Sequence, residues 1–171
     1  MKTLVESMLP ASILLKQGIY IQTCAHIEIA IWNIIEIAKG YDMNDDDQRI
    51  AHLKRKMSVY TMAKELHDAA REPHPSIAIR MHALANRVES GLRNRNMAAH
   101  GAWFLDKNSG YLKVEHYFPN GPQRHGDWRR DIGRYSPRQV DMEIEAADLL
   151  LREACEIRDL LEKATNRTSG F

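Results

Sequence analysis

The feature that most constrains the fold is a long helical pattern from Pro10 to about Lys39, which Gly40 ends. Apolar residues recur along it at spacings of three and four. This stripe consists of Ile27, Ile31, Ile34 and Ala38. Further isoleucines widen the apolar surface beyond one face of the helix. We therefore predict that the helix packs on two sides, against the chain's own core and against a second subunit. The alternation in IEIAIW favours a strand, but the length of the pattern favours a helix.

Three further helices are predicted from their start signals. Asn44, followed by three aspartates, is typical of a capped acidic helix start, and that helix runs to about Arg71. Ser76 is placed to cap the third helix. Residues 136–139, Ser-Pro-Arg-Gln, form a capping box with proline at the first helical position. The fourth helix continues from there to about Lys163.

A β-hairpin is predicted between the third and fourth helices. Residues 103–105 and 111–118 are rich in aromatic and β-branched side chains and flank a loop that contains glycine. Residues 123–135 are polar and are expected to form a loop. The predicted fold is therefore mainly α, a bundle of four to five helices in a single domain over 1–171. The hairpin and loop, residues 102–135, form an insertion in it.

Composition narrows the class of protein. With 44% hydrophobic and 27% charged residues and a net charge of +1, the chain has the composition of an ordinary globular protein and not of a general DNA coat. The charge is segregated, however. Residues 91–138 hold nine basic against four acidic residues, and residues 141–163 hold eight acidic against three basic. This pattern favours a local anion-binding site.

Cysteine usage and the amino terminus indicate the compartment. Cys24 and Cys155 are far apart and form no CxxC pair, which predicts neither a disulfide framework nor a zinc site and is typical of a reducing cytosol. The apolar run from Ser7 to Leu15 is too short to span a membrane. No phosphate-binding glycine loop or HExxH motif occurs. We therefore expect a cytoplasmic protein without a membrane partner, metal or cofactor.

The candidate site lies at the end of the third predicted helix. Arg95 is followed directly by Asn96 and, five residues on, by His100. Arginine binds phosphate as a planar fork, and histidine exchanges protons near neutral pH. A chain with this composition has roughly two such arginine–histidine spacings by chance. The two present, from Arg93 and Arg95, both end at His100. Requiring an amide after the arginine lowers the chance expectation to roughly a quarter of a match.

Helix geometry leaves two arginines as alternatives. The apolar stripe of the third helix comprises Ile77, Met81, Leu84, Val88 and Leu92, and its continuation reaches Arg95 and Ala99. A neighbouring polar stripe contains Arg93 and ends at His100. On an ideal helix Arg93 lies about 20° from His100, and Arg95 about 140°. The alternative to a site is a solvated polar face, with the Arg95 side chain extending past the helix end.

The segment RNRNMAAHG, late in a helical chain, resembles the HEPN family of nucleotide-binding and RNA-cleaving helical domains. The resemblance implies a bundle that dimerises so that two motifs line one cleft. It also implies His100 as the proton-transfer residue, Arg95 as the phosphate clamp and Asn96 as its support, with Arg93 as the rival clamp. A toxin or defence role, with an antitoxin or regulatory partner, follows from the resemblance as well.

The expected activity is metal-independent cleavage of RNA by attack of the ribose 2′-OH on its own phosphate. With one candidate histidine in each chain, acid and base come from the two His100 residues of a homodimer, or from one histidine and water. We expect Trp103 to stack on bases and Arg129 and Arg130 to contact phosphates. Hairpin packing of Trp103 and a solvated loop are the alternatives. The alternative function is a non-catalytic module of the same fold that binds nucleotide, RNA or a protein.

Overall fold

The computed structural model describes residues 3–56, 61–119 and 128–168, except for the side chains at positions 56, 92, 93, 119 and 166–168. These ranges contain six α-helices and three strands. The helices are α1 (Leu4–Met8), α2 (Ala11–Lys39), α3 (Asp46–Lys56), α4 (Met62–Ala69), α5 (Pro75–His100) and α6 (Pro137–Thr168). The strands are β1 (Ala102–Leu105), β2 (Leu112–Pro119) and β3 (Trp128–Tyr135).

The predicted mainly α class is confirmed, since helices dominate and the strands form one small antiparallel sheet in the order β1-β2-β3. The hairpin of β1 and β2 is confirmed too. The arrangement of the helices as the bundle expected from the resemblance stays a prediction. None of the described helices combines the length and apolar character that a bilayer span requires.

The chain divides into two compact units. We call residues 1–23 and 92–147, which include the sheet, the sheet unit. Residues 24–91 and 148–171 form the helical unit. Helices α2, α5 and α6 each contribute residues to both units.

The helical unit has a core of aliphatic side chains. The predicted stripe of α2 is buried at Ile27, Ile31 and Ile34, while Ala38 is half-buried. From α5 the core receives Ile77, Met81, Leu84 and Val88. His52 of α3 is the one fully buried polar side chain among the described residues, and its Nε2 lies 2.6 Å from Glu36 Oε1.

The second predicted helix covers α3 and α4, and residues 57–60 between them lie outside the described residues. The Thr61 hydroxyl, just before α4, donates to the Arg55 carbonyl of α3 at 3.2 Å. The third helix begins at Pro75, and the cap is His74 instead of Ser76. His74 Nδ1 accepts from the Ser76 amide at 3.3 Å, and Pro75 suits the first helical position.

The core of the sheet unit lies on one face of the sheet, which we call the inner face. Leu9, Ile13 and Leu112 are buried there. Half-buried side chains pack around them: Leu14, Trp103, Leu105, Tyr135 and Val140. Helix α6 begins beside this cluster with the predicted capping box. Gln139 Oε1 accepts from the Ser136 amide at 2.8 Å, and Ser136 Oγ accepts from the Gln139 amide at 3.2 Å.

The prediction of a loop over residues 123–135 is wrong for 128–135, which form β3, whereas 123–127 lie outside the described residues. The strand escaped prediction because its half-buried positions hold Asp131, Gly133 and Tyr135, which give no apolar alternation. Gly133 is required by packing. An added Cβ there would lie 2.6 Å from the Tyr135 ring and 2.7 Å from Met97 Cε.

The connection between α5 and β1 depends on Gly101. Its amide donates to the Met97 carbonyl at 2.9 Å, which closes the last turn of the helix. A Cβ at this position would overlap both that carbonyl oxygen and Cγ2 of Val114 on β2. The helix end therefore lies directly against the middle of the sheet because residue 101 has no side chain.

We expect Gly101→Ala to lower the free energy of unfolding by about 2 kcal/mol, because a backbone carbonyl cannot move aside as a flexible side chain does. Gly18→Ala is the matched control. It lies within α2 of the same unit with no atom in the way, and it should raise stability by about 0.5–1 kcal/mol. Urea unfolding followed by circular dichroism measures both. Equal stability of the two variants would contradict the close contact at Gly101.

Candidate active site

Three contacts in the sheet unit hold the last turns of α5. Gln17 Nε2, on α2, donates to the Ala98 carbonyl at 2.8 Å. Asn94 Nδ2 donates to Glu143 Oε2 on α6 at 3.1 Å. Met97 packs against Gly133, as described above. Because helices usually fray at their ends, these contacts give a fixed position to the segment that carries the predicted site.

The helix end is rotated relative to the prediction. We expected the apolar stripe to continue onto Arg95 and Ala99. Instead Met97 and Ala98 are buried, each 4% exposed, while Arg95 and Ala99 are half-buried. The stripe shifts because the sheet covers the face that holds Met97. Arg95 is thereby kept at the border of the core.

Arg95 and Asn96 are brought together. Arg95 Nη1 donates to Asn96 Oδ1 at 3.1 Å, and the pair is partly buried. Asn96 is about 40° from His100 around an ideal helix, compared with about 140° for Arg95. The hydrogen bond therefore draws the guanidinium towards the side of the helix on which His100 lies. The side chain of Arg93, the rival clamp, lies outside the described residues.

His100 is the last residue of α5, and its exposed ring faces a second histidine. The ring centroids of His100 and His116 are 6.1 Å apart, with 25° between the ring planes. His116 lies on β2 on the inner face, two residues beyond the buried Val114. Phe118 continues the row, with its centroid 5.4 Å from that of His116. The expectation of one candidate histidine in each chain is therefore wrong, because the fold places His116 beside His100.

An acidic and a basic residue lie next to His116 on β3. Asp131 pairs with His116 across the antiparallel ladder, so the two side chains share a face at a Cβ separation of roughly 5 Å. The Asp131 carboxylate is 12% exposed and lies 3.4 Å from Arg129 Nε. The Arg129 guanidinium in turn lies 5.8 Å from the centre of the Phe118 ring. This places Arg129 at the border of the histidine pair.

The sequence carried a usable signal for His116 and none for Asp131. In the predicted hairpin, every second side chain of a strand points to the same face, so His116 shares the inner face with Leu112 and Val114. That His100 would lie opposite it depends on the contact of α5 with the sheet, which is not local in sequence. Asp131 could not be found because β3 itself was not predicted.

Trp103 faces inward. Its ring packs against Tyr135 at a centroid distance of 5.7 Å and belongs to the hydrophobic cluster of the sheet unit. It also lines a cavity of about 40 Å³ together with Ile13, Leu112 and Val140. A cavity of this volume holds a few water molecules at most. The placement of Trp103 favours packing, the alternative named above, over stacking on an RNA base.

Arg130 lies on the opposite side of the sheet, which we call the outer face. Its Nη2 is 2.7 Å from Glu115 Oε1, and Lys113 Nζ is also 2.7 Å from that oxygen. Hydrogen bonds from Lys113 and then Arg130 hold the pKa of the Glu115 carboxyl below its ordinary value of 4.5. The bond to Glu115 raises the pKa of Arg130. Arg129 and Arg130, adjacent in sequence, therefore serve different faces.

The arrangement on the inner face fits acid–base chemistry. Two imidazoles lie side by side, a carboxylate can orient one of them, and guanidinium groups stand nearby to bind an anion. Within the described residues, no group of three or more His, Cys, Asp or Glu side chains is arranged to hold a metal ion.

Comparisons of the chain with protein-family models, with curated proteins and with solved structures gave no match.

The ion pairs of Glu115 predict a pH dependence of stability. Because its folded-state pKa is lowered, Glu115 adds stability above pH 4.5 that is lost as the pH falls through the folded-state value. We expect the melting temperature of the parent to fall more steeply below about pH 4.5 than that of Glu115→Gln. Glu145→Gln, an exposed carboxylate on α6, should follow the parent. Parallel curves for the parent and Glu115→Gln would show that these ion pairs do not stabilise the sheet.

Proposed function

We propose that this protein is a metal-independent endoribonuclease, and that His100 and His116 exchange the protons. The observation that carries the proposal is the near-parallel placement of the two rings at 6.1 Å. Transfer of a phosphoryl group from one oxygen to another requires one group that removes a proton and one that returns a proton. A pair of histidines provides both near neutral pH.

The proposed reaction is an internal transesterification. One histidine takes the proton of the ribose 2′-OH while the 2′-oxygen attacks the neighbouring phosphorus. The bond from phosphorus to the 5′-oxygen breaks, and the other histidine gives that oxygen a proton. The products are a 2′,3′-cyclic phosphate and a free 5′-OH. No external reactant is consumed, so the side chains of the chain supply all that the step needs.

Neighbouring residues support the two histidines. Asp131, opposite His116 in the ladder, can fix the orientation and tautomer of that ring. Arg95, linked to Asn96 at 3.1 Å, offsets negative charge as it builds on the phosphorus oxygens. Arg129 lies beside Phe118 and adds positive charge at the border of the pair. We assign the clamp to Arg95 because its hydrogen bond to Asn96 turns it towards His100.

A homodimer is part of the proposal, although His116 removes the need for a second subunit in proton transfer. Helix α2 supports it, since Leu15, Ile19 and Ile29 are exposed apolar side chains on this one helix. Such residues are typical of helices that pack against a partner. A toxin or defence role with a cognate inhibitor is proposed on the resemblance alone.

A second candidate is a non-catalytic RNA-binding module of the same fold. It is favoured by the position of Arg130, which lies on the face of the sheet opposite His116 and so could bind RNA without taking part in proton transfer. Binding of RNA without cleavage would identify this function.

We expect the parent to cleave RNA in excess EDTA and to leave 2′,3′-cyclic phosphate ends. His100→Ala and His116→Ala should each reduce the rate by between about 100-fold and 10,000-fold, since each removes one proton-transfer group. His26→Ala, an exposed histidine on α2, is the control and should cleave like the parent. Gel analysis of end-labelled RNA measures all four. If either His100→Ala or His116→Ala cleaves RNA like the parent, the two-histidine mechanism is wrong.

The two arginines can be separated by the same assay. Arg95→Ala should lower the rate by about 100-fold, because one group that stabilises developing charge is lost. Arg93→Ala should have the smaller effect. Arg95→Lys tests geometry, since lysine keeps the charge but not the planar fork that bonds Asn96. If Arg93→Ala lowers the cleavage rate more than Arg95→Ala does, the phosphate clamp is Arg93.

A further inference from the structure

The outer face of the sheet is rich in exposed aromatic and basic side chains. Because side chains alternate along β1, β2 and β3, every second residue points to the outer face. This set includes Phe104, Lys113, Glu115, Tyr117, Trp128, Arg130 and Arg134. Trp128 is 67% exposed and Tyr117 is 56% exposed, although large aromatic side chains are usually mostly buried. An exposed group of this kind marks an interaction surface.

Two arginines lie over aromatic rings on this face. The Arg134 guanidinium carbon is 4.5 Å from the centre of the Tyr111 ring, and that of Arg130 is 5.8 Å from the centre of Tyr117. Such pairs hold both planar groups in place along the strands. Fixed rings next to fixed cations are the elements by which proteins bind single-stranded nucleic acid, through stacking and phosphate contacts.

The charge of the outer face indicates the kind of partner. Lys113, Arg130 and Arg134 face one carboxylate, Glu115, so the strands present an excess of two positive charges. A second copy bound through this same face would bring like charges together, which opposes self-association. A polyanion with flat apolar surfaces complements both the positive charge and the exposed aromatic rings of the outer face.

We propose that the outer face binds single-stranded RNA, whose bases stack on Tyr117 and Trp128 while Arg130 and Arg134 contact its phosphates. Single strands are favoured over duplexes because only unpaired bases expose their faces to side chains. Neighbouring strands lie about 5 Å apart, which gives space for two or three stacked bases. That the strand is RNA rests on the proposed function.

The two faces meet at β3, an edge strand of the described sheet. Arg130 points to the outer face, while its sequence neighbours Arg129 and Asp131 lie on the face of His116. An RNA chain that stacks on the outer face can therefore pass around β3 to the histidine pair. The outer face would hold the part of the RNA that is not being cut.

The test is equilibrium binding of a fluorescent single-stranded oligoribonucleotide with 2′-O-methyl groups, which cannot undergo the proposed cleavage. We expect Trp128→Ala and Tyr117→Ala to raise the Kd by about 10-fold each. Arg134→Ala should weaken binding. It should also reduce the slope of log Kd against the logarithm of the salt concentration by about 0.7, because one phosphate contact is lost. Glu115→Gln should tighten binding, because it removes the one carboxylate and releases Lys113 and Arg130.

Arg152→Ala is the matched control. Arg152 is an exposed arginine with a carboxylate partner, since its Nε is 2.7 Å from Asp148 Oδ2, but it lies on α6 in the helical unit. It should bind like the parent. Melting temperatures of all variants confirm that the sheet is intact, and the duplex form of the same oligonucleotide should bind more weakly than the single strand.

Two results would overturn the proposal: an unchanged Kd in Trp128→Ala and Tyr117→Ala, or weakening by Arg152→Ala as strong as by Arg134→Ala. A change of oligomeric state in Trp128→Ala with unchanged RNA affinity would also overturn it and identify the face as a protein contact. Because the oligonucleotide cannot be cut, the outcome is independent of the nuclease. Outer-face binding without cleavage refutes only the proposed activity, and cleavage with an unchanged Kd refutes only this surface.

Discussion

The contact between the last turns of α5 and the sheet is the constraint on which the candidate site depends. The helix can approach β2 only because Gly101 and Gly133 have no side chains where Met97 and Val114 pack. Gln17 then holds the Ala98 carbonyl and fixes the position of the helix end. As a result His100 lies over the strand that carries His116. If the helix ended one turn earlier, the ring of His100 would not lie beside that of His116.

The parts of the fold that could be predicted are those encoded by neighbours in sequence. The helix from residue 11 to 39, the capping box at Ser136 and the hairpin of β1 and β2 all follow from short-range patterns and local hydrogen bonds. The hydrogen bond from the Thr61 hydroxyl to the Arg55 carbonyl was not predictable, because no short-range pattern marks a side chain that bonds a carbonyl six residues earlier.

The site was only half accessible from the sequence. Arg95, Asn96 and His100 lie within one helical turn and a half, so spacing alone could bring them together. His116 and Asp131 join them through pairing across strands and through a helix–sheet contact, both of which depend on residues distant in sequence. β3 was missed for a physical reason: Gly133 leaves a gap for Met97 instead of filling the core itself, so a residue essential to packing gives no hydrophobic signal.

The position of β3 at the margin of the described sheet has a consequence for solubility. An outermost strand offers free backbone groups that can pair with the strands of other molecules and start aggregation. Arg129, Arg130 and Arg134 lie along this strand, and their charge and bulk oppose such pairing. Charged residues at this edge are therefore expected for solubility alone, whether or not the proposed RNA binding occurs. Their retention in homologues would not by itself be evidence for that binding.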